Sequence, residues 1–188
     1  MADQFHYARW LEELWANEAT VRKLASEVDA KAFVTAPAPG AWSPAACIDH
    51  LVITARQFLP LWDKALAASQ PGKGEAKYAF WERKFASLLE PPYRIKAKTQ
   101  SSFEPKTTHS KDEVIELYFA SHELVKQRAE ILRERAISNI VIVSPFASWM
   151  KYNIAFSFDL LLVHERRHLW QAQQAAPKGS GLSQTINN

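Results

Sequence analysis

The chain has 188 residues, 47% of them hydrophobic and 12% aromatic, with seven Trp, five Gly and one Cys. That length buries a core without staples, and the composition excludes disordered, fibrous and disulfide-framework classes. One helical domain over residues 1–176 and a flexible tail over 177–188 are expected. A formal charge of +3 at pH 7, with 23 Lys and Arg scattered among 20 acidic residues, offers no clustered basic face for nucleic acid.

No apolar run reaches the length of a membrane span, and the opening MADQFHYARWLEELW lacks the basic-then-apolar order of a secretory signal. Cys47 has no cysteine partner within the chain. A cytoplasmic protein is the expectation.

Apolar residues recur at helical spacing in four long stretches separated by segments rich in Pro, Gly, Ser and Thr. The first runs from about Asp3 to Val28, with Tyr7, Trp10, Leu11, Leu14, Val21, Leu24 and Val28 toward one side. The connection KAFVTAPAPGAW breaks it. Trp42-Ser43-Pro44 then reads as a helix start, with Ser43 able to cap exposed amides and Pro44 at the first helical position. That helix runs to about Gln70 and turns Cys47, His50, Leu51, Thr54, Phe58 and Leu61 inward, with a kink expected at Pro60.

PGKGEAK reads as a loop and Tyr78–Leu89 as a shorter helix. Residues 91–109 carry three prolines and no clean periodicity, so they are expected to form an extended crossover. Ser110-Lys111-Asp112-Glu113 matches a capping box and opens a third long helix to about Arg135, with Val114, Leu117, Tyr118, Ser121, Val125, Arg128 and Leu132 on one face. SNIVIVSPFASWMKY has a β-like apolar patch able to pack as a lid. The last helix is expected from Asn153 to Ala176, before Pro177.

Near its end this helix carries HERRH, from His164 to His168. Two His four apart project from one helical face, as ligands of one metal ion must, and the face continues the stripe of Ile154, Phe158 and Leu161. The alternative is a pair of hydrogen-bonded core histidines. A zinc-protease reading of H-E-x-x-H fails, because no Asp or Glu follows Glu165 and no His or Cys follows His168. An upstream third ligand is available in His50, on the inward stripe one turn after Cys47. An inward imidazole is costly to bury unless satisfied, and three His on two facing helices can satisfy one another through a metal. Zinc or nickel is favoured, and imidazole also suits iron and copper.

GAWSPAACIDHL, a proline turn SPF before the last helix and HERRHLWQ within it together resemble the DinB-like superfamily of metal-binding four-helix bundles. Trp42, Ser43, His50, His164, Arg167, His168 and Gln171 fall on that pattern, which spans the chain from the first helix to Gln171. The resemblance implies an all-α four-helix bundle with a long crossover connection. It also implies a homodimer and thiol chemistry of the bacillithiol- and mycothiol-dependent S-transferase kind. One departure stands out: PFASWMKYN lacks the Gly usual in the turn before the last helix, which puts the pocket shape in question.

Two function classes follow. The first is a metalloenzyme holding one divalent transition metal through His50, His164 and His168, acting on a small-molecule substrate by thiol transfer or metal-dependent hydrolysis. The second is a metal-stabilised interaction module without turnover. Glu165 is a candidate base for bound water, with a solvent-facing ion pair to Arg166 as the competing reading. Gln171 is a candidate support for His168 or a surface amide, and Arg167 orients an anion or ties helices together. Cys47 is expected to pack and His122 to sit at the edge of its helix's apolar stripe. His6 and His109 receive no role.

Overall fold

The computed structural model describes residues 4–92, 99–106 and 108–177. Residues 178–188 of the expected tail and the middle of the expected crossover lie outside the described residues. Helix α1 is Tyr7–Glu27, and its buried Trp10, Leu14, Asn17, Glu18, Val21 and Leu24 recur three and four apart, as one inward face requires. The second helix, α2, is a single short turn, Ala30–Val34, that the Pro-rich reading of this connection missed. Its signal was Asp29, whose carboxylate accepts the Ala32 N–H at 2.9 Å and caps it.

Helix α3, Pro44–Ala67, starts where expected: the Ser43 hydroxyl accepts the Ala46 N–H at 3.1 Å. It continues through Pro60 as one element and ends three residues before Gln70. In helix α4, Phe80–Leu89, Glu82 reaches back to the Ala79 N–H at 2.7 Å. A short 3-10 helix, Ser101–Phe103, stands in the crossover where extended chain was expected.

Helix α5 spans Lys111–Leu132, with the Ser110–Glu113 capping box formed at its start. It stops short of Arg135, and just past its end the carbonyls turn to the loop after α3. The Gly74 N–H donates to Arg133 O at 2.9 Å and the Gly72 N–H to Glu134 O at 3.0 Å.

The apolar patch that follows forms an antiparallel hairpin, β1 (Val141–Val143) and β2 (Lys151–Asn153), with Ile142 opposite Tyr152. Strand alternation buries those two and leaves Val141 and Val143 exposed. Asn153 then caps helix α6, Ile154–Ala175, by accepting the Ala155 N–H at 2.8 Å.

The four long helices close into a ring: α3 packs on α5 and α6, and α1 packs on the same two. Consecutive long helices α1 and α3 therefore lie on a diagonal. The core has two apolar parts. One holds Trp10, Phe58, Trp62 and Phe158, with the Trp62 and Phe158 rings stacked at 3.9 Å. The other holds Val21, Ile48, Leu51, Tyr118 and Leu169. Between them, on all four helices, lie polar side chains: Asn17 and Glu18 on α1, His50 and Thr54 on α3, Ser121 and His122 on α5, and the HERRH stretch on α6. No described helix is long and apolar enough to cross a membrane.

Candidate metal centre

The triad occupies one side of this polar layer. The Ser43 cap and Pro44 fix where α3 begins, and so direct His50, buried at 3% exposure, toward α6. On α6 the four-residue spacing brings His164 and His168 onto the facing surface, with ring centroids 4.6 Å apart. The His50 ring lies 5.1 Å from His164 and 4.3 Å from His168. One nitrogen from each of the three His falls in a cluster whose members lie within 4.8 Å of one another.

Neighbouring groups assign the tautomers. His50 Nδ1–H donates to the Phe103 carbonyl at 2.7 Å, which leaves the Nε2 lone pair directed at the cluster. His168 Nδ1–H likewise donates to Gln171 Oε1 at 3.1 Å. His50 Nε2 then faces His164 Nε2 at 3.4 Å, while His164 Nδ1 is buried with no hydrogen-bond partner among the described residues. A proton between the facing nitrogens strands a lone pair on Nδ1; a proton on Nδ1 sets two lone pairs against each other. With the proton on Nδ1, a shared cation that accepts the facing Nε2 lone pairs removes their repulsion, while the His164 Nδ1–H keeps no partner among the described residues.

The protonation states suit such an ion. Burial pulls the His50 pKa down, against the opposing pull of the Phe103 carbonyl and Asp49. Burial, then the neighbouring His168 and His50 and the Arg167 charge, hold His164 well below its usual value. The same forces, burial first, then His50 and Arg167, lower His168 to about 3. All three therefore stay neutral near pH 7, the form in which imidazole ligates.

A family model described as the DinB superfamily matches residues 13–172, a span that contains all three histidines. The chain belongs to the DinB superfamily. No curated protein and no solved structure matches it.

The remaining candidates take varied places in this DinB-superfamily fold. Gln171 is the support of His168 that one sequence reading allowed. Arg167 is buried at 8% exposure, and its charge acts on His164 and His168. Cys47 is fully buried in the second apolar cluster, where desolvation pushes its thiol up to about 12. It stands outside the nitrogen cluster.

Glu165 has neither the base-like position nor the solvent-facing ion pair expected for it. It is 0% exposed and turned toward α1 and α5, where Asn17 Nδ2 donates to it at 2.9 Å and His122 Nε2 at 2.9 Å. Arg166 pairs instead with Glu13 at 3.0 Å and with Glu90.

His122 is fully enclosed as well, not a boundary residue. Its Nδ1 meets Glu18 Oε1 at 3.3 Å, so it bridges two carboxylates. Burial lowers its pKa, but Glu165 and Glu18 outweigh that and hold it up at about 9, while His122 in turn lowers Glu18.

Four participants escaped the sequence reading. The Phe103 carbonyl lies in an aperiodic segment with no local signal. Phe146, whose ring lies 5.2 Å from His164, sits in the hairpin loop that was expected only as a lid. Asn17 and Glu18 were legible in principle as polar residues on the buried face of α1.

Proposed function

We propose that this DinB-superfamily protein is a metalloenzyme holding one divalent transition metal, zinc or nickel by ligand type, through His50, His164 and His168. The observation that carries the reading is the trio of neutral imidazoles whose free nitrogens converge while the outward nitrogens of His50 and His168 are already hydrogen-bonded. A bound ion would supply the positive charge that favours a thiolate over a thiol, or deprotonates water, at an open position. The chain's own residues do the rest. Phe103 O and Gln171 Oε1 orient His50 and His168, burial keeps the imidazoles unprotonated, and the surrounding rings limit water.

Cys47 stands outside the nitrogen cluster, which supports three protein ligands with room for a small-molecule substrate rather than a closed structural site. Thiol transfer ranks ahead of hydrolysis because a full dication on neutral ligands favours thiolate most. Loading the protein with Co(II) tests both points. Visible bands are expected, and a small thiol should add an intense near-ultraviolet charge-transfer band. Co(II) bands indifferent to every added thiol and to pH would instead indicate a metal cross-link between α3 and α6 without turnover.

A further inference from the structure

The walls of the centre carry a chemistry of their own. Trp42 lies against two of the imidazoles, 5.0 Å from His50 and 5.8 Å from His168. Phe146 covers the third, with its ring 5.2 Å from His164. Phe103 joins the two sides, 6.5 Å from His50 and 5.1 Å from Phe146. Phe146 is braced from behind by Phe58 at 5.6 Å, which stacks on Trp62 at 5.2 Å in the main core. Trp42 and Phe146 are each half-buried, so part of each ring surface remains accessible beside the triad.

Several polar atoms of the wall are already committed. The Phe103 carbonyl accepts from His50, and Gln171 Oε1 from His168. The Phe146 carbonyl accepts from Gln100 Nε2, and the Phe146 N–H donates to Ser144 Oγ at 3.2 Å. What remains to touch a molecule next to the centre is chiefly ring face and ring edge, a surface that rewards flat apolar groups. Three uncharged ligands leave the charge of a dication uncompensated, and the buried Arg167 adds to it, so the donor atom arriving there is anionic.

We propose that Trp42 and Phe146 are specificity-determining walls of the centre, and that its ligand is an anionic donor group carried directly on an aromatic ring. The proposal rests on the metal-centre reading. It extends that reading to the substrate class and is independent of whether the reaction is transfer or hydrolysis.

Two chelators with the same donor group separate the terms: benzohydroxamate carries a ring and acetohydroxamate a methyl. Their affinities are read from the visible spectrum of the Co(II)-loaded protein, for the wild type and for Phe146→Ala, Phe146→Leu and Trp42→Leu. The wild type should prefer benzohydroxamate by roughly tenfold, and each loss of a ring should cut that preference about three- to tenfold. Phe146→Leu keeps apolar bulk, so it separates loss of the ring from collapse of the loop, and Co(II) content reports that the centre is intact.

An equal preference in the wild type and all three variants, with Co(II) bound, would overturn the aromatic-wall assignment alone. So would failure of both chelators to bind the loaded protein. Absence of Co(II) uptake by the wild type would overturn the metal-centre reading and this proposal with it.

Discussion

His164 and Glu165 are chain neighbours with opposite fates. A step of about 100° around the helix sends one side chain to the imidazole cluster and the next to a buried carboxylate pair bridged by His122. With Glu165 at 0% exposure and Glu18 at 7%, that bridge is an ion network in low dielectric, flanked by Lys126 at 3.8 Å and Arg22 at 3.3 Å from Glu18.

Because the folded-state pKa of His122, about 9, lies above its ordinary value of 6.5, protonated His122 favours the folded state. That contribution is complete below about pH 6.5 and is lost as pH rises through about 9. Denaturant midpoints measured from pH 6 to 10 should fall across that window in the wild type, with the fall absent in His122→Gln. A midpoint flat through the window would show His122 to be neutral. His122→Ala at pH 7 should cost about 3–5 kcal/mol, since it strands two buried carboxylates.

At the scale of elements, the starts of α3, α5 and α6 were legible because each cap is a local hydrogen bond between residues two or three apart, at Ser43, Ser110 and Asn153. Segments held by distant partners were not. Phe103 serves a residue 53 positions away, and no periodicity in its own segment signals it. Glu165 was misread because α6 is buried nearly all round: Phe156, Leu160 and Val163 are as enclosed as Phe158 and Leu161, so no single inward face is marked.

The end of α5 was placed late for a related reason, since the carbonyls just past it turn to the Gly72–Gly74 loop. That contact is tight. A Cβ on Gly74 would meet Arg133 Cα at 2.6 Å and Leu132 O at 2.7 Å, both backbone atoms. Gly74→Ala should therefore destabilise the fold by about 1–3 kcal/mol in denaturant unfolding, and an unchanged midpoint would contradict this packing.

For the molecule as a whole, four helices and three candidate ligands could be read from spacing, whereas the ring order, with α1 and α3 on a diagonal, depends on connections that periodicity does not encode. The closed ring explains how one polar layer serves both purposes. Apolar clusters above and below it desolvate the triad on one side and the acid–histidine network on the other. Desolvation prevails at His164 and His168, where the neighbouring imidazoles and Arg167 push the same way and Gln171 alone opposes at His168, and it is outweighed at His122, where two carboxylates face the ring.

A metal bound only by the folded chain would add its binding free energy to stability, about 2.7 kcal/mol at a hundredfold excess over Kd. The central claim is that α3 and α6 jointly hold that ion, and it is tested most directly by elemental analysis of untagged protein beside His50→Ala. The account predicts about one equivalent of a divalent transition metal in the wild type and its loss in the variant. Wild-type protein that holds no metal after incubation with zinc or nickel, or a His50→Ala protein that holds as much as the wild type, would contradict it.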